Sequence, residues 1–236
     1  MGRDLARKLT AEALGTGMLV AIVVGSGIHA QRLSPDDVGL QLFENAAATA
    51  AGLVALILAF GAVSGAHFNP IVTLADRLFG GMGNREAGLY MGAQIVGGCL
   101  GAIAANLMFD LSAVSWSTHT RSSGALWFAE VVAAFGLVLV ILGVVRAGRA
   151  DAAPFAVAGY IAAAYWFTSS TSFANPAVTI ARSLTDTFAG IRPASVPAFV
   201  GAQFVGGVLA VALARFLFPS VPADEIVVPH EHSDSA

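Results

Sequence analysis

Residues 69–78 read NPIVTLADRL, and residues 175–184 read NPAVTIARSL, with six of the ten positions identical. Asn is among the best helix N-caps, and Pro is favoured at the first helical position, where a missing N–H costs nothing. Each segment therefore predicts a helix start, followed by ten to twelve helical residues. At 1.5 Å per residue such a helix is about 15 Å long, half of a bilayer's hydrocarbon core. An Asn-Pro pair alone would mark an ordinary turn. Two copies, each opening a short apolar helix, predict a chain built around a related pair of half-helices.

What surrounds these segments is apolar. The 236 residues are 56% hydrophobic and 11% charged, with a mean hydropathy of +0.75. A soluble domain carries about a quarter charged residues, so the composition predicts a membrane protein. About 20 apolar residues cross a bilayer, and six stretches qualify: 9–28, 40–61, 87–109, 125–145, 153–171 and 196–218. Arg3, Arg7 and Lys8 ahead of the first stretch resemble a signal peptide, but Glu12 interrupts the run, which predicts a retained span. Polar breaks separate the others: Ser34 to Asp37, Ser112 to Gly124, and Arg146 to Asp151. The expected organisation is one transmembrane domain, 1–224, followed by a polar, disordered tail, 225–236.

The repeat extends beyond the Asn-Pro segments. GAQIVGG (92–98) returns as GAQFVGG (201–207), and Glu12 opens one half as Glu130 opens the other. Repeat one covers 9–109 and repeat two 125–218. Each holds helix, helix, half-helix, helix. Three full spans per repeat is an odd number, so the second copy inserts upside down. The fold class predicted is an all-α membrane protein, with six transmembrane helices and two half-helices in an inverted repeat. With the N-terminus inside, eight of the twelve Lys and Arg residues fall on the inner side. The positive-inside rule therefore predicts cytoplasmic termini.

Irregular backbone cannot face lipid, so both Asn-Pro starts must lie within protein or line a water-filled path. Inverted insertion brings both N-termini to the midplane, each with about half a positive charge. A cation meets a barrier there. A neutral solute does not, and the side-chain amides of Asn69 and Asn175 are free to donate to its oxygens.

These residues resemble the major intrinsic protein family, the aquaporins and glycerol facilitators. SGAHFNP (64–70), ANPA (174–177), the segments of Glu12 and Glu130, and the doubled GAQ-x-VGG carry the resemblance over 9–218. It implies a homotetramer with one pore per subunit, in a bacterial inner membrane, conducting small neutral solutes. Asn69 and Asn175 would form the central constriction, and Glu12 and Glu130 would hold the loops ahead of them. In most members an arginine follows the second motif at once and narrows the filter. Here Val178 stands there, and Thr179 takes the place of the glycerol facilitators' Asp. Ser172 matches a filter cysteine of some water channels. Counting back from the two asparagines assigns Thr49 and Ala163 to the remaining filter positions. Together these make a wide, uncharged filter. It implies glycerol-like polyols as well as water, and arsenite or methylated arsenicals, because arginine-lacking members are associated with bacterial arsenic handling.

Spacing adds one pair. Asn175, Val178 and Arg182 share a helical face, as do Asn69, Val72 and Asp76. Arg182 and Asp76 are either pore-lining or solvated charges at half-helix ends. His67, just ahead of the first motif, is expected to line the pore or brace its loop. Glu12 and Glu130 support loops or, as buried carboxylates, couple protons. The alternative function is a secondary transporter, since inverted repeats with broken helices serve those too. No nucleotide-binding loop, metal quartet or nucleophile triad is present, so no enzyme, cofactor or metal site is expected. His230 and His232 in the tail are too few for a metal site. The net charge of −3 gives no basic footprint for nucleic acid, and lone Cys99 excludes an intrachain disulfide.

Overall fold

The computed structural model describes residues 2–218. The tail 225–236, with His230 and His232, lies outside the described residues. Among the described residues eight α-helices follow one another: α1 (Arg3–Leu33), α2 (Val38–Ser64), α3 (Pro70–Phe79), α4 (Asn84–Met108), α5 (Gly124–Arg146), α6 (Ala153–Phe167), α7 (Pro176–Ala181) and α8 (Val196–Leu217). Among the described residues, α1, α2, α4, α5 and the segment ending in α8 are long and apolar enough to cross a membrane. The fifth expected span, 153–171, ends as a helix at Phe167, and the chain then turns into the approach to the second Asn-Pro.

The ends of these helices follow from local chemistry. Asp37 caps α2 by accepting from the Leu40 N–H at 2.9 Å, and Ser123 caps α5 through Leu126. Asn69 and Asn175 cap the half-helices α3 and α7, each with Pro at the first position. α3 has its expected ten residues and closes on Gly80 at φ 94°, a left-handed cap that glycine adopts without strain. α7 is shorter than expected, six residues, and tightens into a 3-10 turn over Arg182–Leu184. Two bonds draw it off the α path. The Ser183 hydroxyl donates to the Ile180 carbonyl at 2.6 Å, and the Ile191 N–H reaches the Arg182 carbonyl at 3.3 Å.

The halves are built alike. α1 packs along α4 as α5 packs along α8, α2 meets α6 across the halves, and each half-helix touches the last helix of both halves. The doubled GAQ-x-VGG explains this pattern. A Cβ on Gly97 would stand 2.0 Å from the Ala13 carbonyl oxygen, and one on Gly206 would stand 2.3 Å from that of Val131. These glycines, the first of each closing pair, therefore let α4 and α8 approach the backbones of α1 and α5. The second glycines face the opposite half: Gly98 lies against α7 at Ala177, and Gly207 against α3 at Ile71. Four glycines thus fix both the pairing within a half and the seat of the other half's half-helix.

Beyond α4, the loop 110–123 lies against the loop 183–192. Ser115 and Ser117 donate from their N–H groups to the carbonyls of Leu184 and Ser183, both at 3.0 Å, and Arg192 N–H donates to His119 at 2.7 Å. The Thr118 N–H donates to Asp186 and holds that exposed carboxyl below the ordinary aspartate range.

Backbone in the way of a new side chain cannot rotate aside. Gly97→Val and Gly206→Val should each destabilise the bundle by at least the ~1–3 kcal/mol typical of overpacking. Gly88→Ala, where nothing lies within 4 Å, should leave stability unchanged or raised. Thermal unfolding in detergent, followed by circular dichroism, measures both.

Candidate functional site

The site forms where the two half-helices meet, and it begins with two carboxylates that are fully buried, Glu12 and Glu130. Glu12 accepts the N–H groups of His67 and Phe68 at 3.0 and 2.8 Å, the Ser64 hydroxyl at 2.6 Å, and the Gln94 side-chain amide at 2.7 Å. Glu130 accepts the N–H groups of Phe173 and Ala174, both at 2.9 Å, and the Gln203 amide at 2.5 Å. Gln94 and Gln203 also donate to the hydroxyls of Thr73 and Thr179 on the half-helices, at 2.9 and 2.8 Å. A lone buried carboxylate would be costly. One that accepts three or four donors is a rigid bracket instead.

The bracketed loops are strained in matching places. Ala66 and Phe68 in one, and Ser172 and Ala174 in the other, have φ between 47° and 51°. Such conformations cost non-glycine residues about 1–3 kcal/mol each and persist only where surroundings over-determine them. Their effect is to turn the loop carbonyls. Phe68 O accepts from Asn175 Nδ2, and Ala174 O accepts from Asn69 Nδ2, both at 2.8 Å. The Asn oxygens face the other way: Asn69 Oδ1 accepts from Ile71 N–H, and Asn175 Oδ1 from the N–H groups of Ala177 and Val178. The expectation of two free amides is therefore corrected. One N–H of each ties the opposite loop, and the second has no protein partner among the described residues.

Both asparagines border a continuous cavity of about 810 Å³, the open space at its mouth included. Thr49, Ser172 and Val178 border it as well, and so does His67. Ala163 does not; it lies on the exposed side of α6. Ile161 and Tyr165, four apart and so on one helical face, line the cavity in its place. Tyr165, which the sequence count missed, shares a 3.1 Å hydrogen bond with Thr49. The count of 12 back from Asn175 crosses the non-helical residues 168–174, so it does not keep helical phase and lands on the exposed face of α6.

His67 Nδ1 lies 3.0 Å from the Thr73 hydroxyl, and its Nε2 lies 4.0 Å from Asp76. Asp76 is 6% exposed and sits behind His67, away from the cavity wall. Arg182, its counterpart, is 3% exposed and lines the cavity. Neither is a solvated charge.

A match to the major intrinsic protein family covers residues 2–172. The chain belongs to that family. It is 52% identical to the aquaglyceroporin AqpS of Rhizobium meliloti (strain 1021) over 95% of this chain and 94% of that one. It is 29% identical to the probable aquaporin AqpM of Archaeoglobus fulgidus, over 92% and 99%. In architecture it resembles the aquaglyceroporin from Plasmodium falciparum, with a TM-score of 0.69 over 91% of this chain and 98% of the other, at 20% identity. This major intrinsic protein is thus an integral membrane channel of the aquaporin and aquaglyceroporin class, for small neutral solutes, and not an enzyme.

Asn69→Ala and Asn175→Ala each remove a helix cap, worth ~1 kcal/mol, and strand a buried carbonyl, worth a further ~1–3 kcal/mol. Both variants should reconstitute with lowered stability and impaired flux in stopped-flow light scattering. Wild-type flux in both would show that solutes do not pass these amides.

Proposed function

We propose that this chain is a passive channel with a wide filter, admitting glycerol-like polyols along with water. The observation that carries the reading is Val178: a short apolar side chain borders the cavity where most of the family places an arginine. With Thr49 and Ser172 beside it, the wall offers room and hydroxyls rather than a fixed donor fork. The 52% identity to a protein named aquaglyceroporin supports the same solute size. Arsenite and methylated arsenicals, whose trivalent forms are largely uncharged hydroxides near neutral pH, fall in the same class of cargo. Homotetrameric assembly, a bacterial inner membrane and cytoplasmic termini complete the proposal, the first from the family resemblance and the last from the distribution of Lys and Arg.

A secondary transporter normally shows unpaired midplane carboxylates for ion coupling. Glu12 and Glu130 have their oxygens occupied by loop amides, glutamines and a serine, which favours the channel. Purified protein in liposomes tests the choice. A channel gives glycerol flux that rises linearly with the gradient and ignores ion gradients. Saturating, ion-dependent flux would mean a carrier.

Val178→Arg should place a guanidinium back in the filter. Glycerol and arsenite flux should then fall by at least about tenfold, a barrier increase of about 1.4 kcal/mol, while water flux falls much less. If all three fluxes stay at wild-type values, Val178 does not set the passage.

A further inference from the structure

The family's usual filter arginine does two things from one position: it narrows the opening and repels cations. In this chain Val178 holds that position, and an arginine lies four residues on, one helical turn further along. Arg182 borders the same cavity as Val178 and is held in place there. Its Nε donates to the Ala189 carbonyl, and its guanidinium carbon stands 3.5 Å from the centroid of the Phe173 ring. Arg121 reaches the same ring at 5.1 Å, and its Nε donates to Gly190 O at 3.0 Å.

Two features make this arrangement more than packing. First, among the described residues no carboxylate comes within 4.0 Å of either arginine. Glu130, on α5 behind the Phe173 loop, has its oxygens bonded to Phe173, Ala174 and Gln203. The positive charge is therefore uncompensated by an ion pair. Second, the terminal nitrogens of Arg182 make no hydrogen bond to the protein among the described residues, although Nε does. The neighbouring wall is also short of partners, for the Ser172 hydroxyl is buried without one. A guanidinium keeps its charge at neutral pH and offers only donors.

We propose that this pore divides between two residues what one arginine does elsewhere in the family: Val178 sets the size limit, and Arg182 sets the charge limit. Moving the guanidinium one turn along, and stacking it on Phe173, takes its bulk out of the passage. Its field stays. Solutes with acceptor oxygens meet free N–H donors there, and cations meet an unpaired positive charge. Because Arg182 is buried, bulk salt screens that field far less than it would an exposed charge.

This inference rests on the wide-channel reading, and the test separates the two. Urea and the guanidinium ion have nearly the same size and planar shape and differ in charge. Their fluxes are compared in liposomes carrying the full chain, with protein-free leak subtracted. The wild-type channel should pass urea and exclude guanidinium, with a ratio unchanged between low and high salt. Arg182→Gln keeps an amide donor for Ala189 O and removes the charge; it should raise the guanidinium-to-urea ratio by at least about tenfold. Arg182→Lys keeps the charge and should stay within about twofold of wild type on that ratio.

An unchanged ratio in Arg182→Gln overturns the proposal. So does an equal rise in Arg182→Lys, which would make the stack on Phe173, not the charge, the working feature. If Arg182→Gln fails to insert, the wild-type salt series still decides. A ratio that rises steeply with salt would place the discriminating charge at the surface and overturn the assignment. Saturating, ion-coupled urea flux in wild type would instead sink the channel reading itself.

Discussion

Everything at the centre of this protein depends on a carboxylate holding a strained loop. Backbone N–H groups that belong to no helix sit deep in an apolar bundle, and each unsatisfied one would cost several kcal/mol in such surroundings. Glu12 takes those of His67 and Phe68, and Glu130 takes those of Phe173 and Ala174. With the amides pinned, the residues at positive φ have no freedom to relax, and their carbonyls are left pointing toward the opposite asparagine. The reciprocal bonds from Asn69 to Ala174 and from Asn175 to Phe68 then lock the two half-helix starts together. Each carboxylate, so fully engaged, brackets its loop against the last helix of its own half.

The bracket reaches outward through the repeated GAQ-x-VGG. Its glutamine completes the carboxylate's hydrogen bonds and touches the half-helix threonine, while its closing pair of glycines seats the neighbouring helices. One seven-residue motif therefore joins helix packing to loop geometry, twice. At the half-helix ends the halves also differ in charge. Asp76 lies behind His67 and away from the cavity, whereas Arg182 stands in the cavity wall against Phe173. The scaffold is symmetric and the pathway is not.

Much of this was legible from residue spacing, because it rests on local rules and on duplication. Asn before Pro announces a capped helix, a ten-residue apolar run is too short to span, and two copies imply a meeting at the centre. The rest needed tertiary structure. Tyr165, not Ala163, faces the cavity because the non-helical residues 168–174 break the helical phase between Asn175 and α6, and counting along the chain cannot see that. The burial of Arg182 depends on a ring nine residues earlier and a carbonyl seven residues later, both brought round by loops. The cross-tie of the asparagine amides depends on left-handed residues that no propensity predicts for Ala, Phe or Ser. Thr73 and Thr179 did carry a signal, since both stand unchanged in the repeated N-P-x-V-T, and it points to Gln94 and Gln203 only once the helices are packed.

The claim that carboxylates hold the loops has a direct reading in amide hydrogen exchange. Glu130→Gln leaves size and shape nearly intact but replaces one acceptor oxygen by an NH2 group, which faces an N–H it cannot accept. Exchange is followed by mass spectrometry on a peptide spanning 171–177, wild type against variant, in detergent or nanodiscs. Phe173 and Ala174 should exchange slowly in wild type and markedly and selectively faster in Glu130→Gln, with α5 and α8 still protected. Unchanged protection across 171–177 in a folded Glu130→Gln protein would contradict it, because the loop would then hold its shape without the carboxylate.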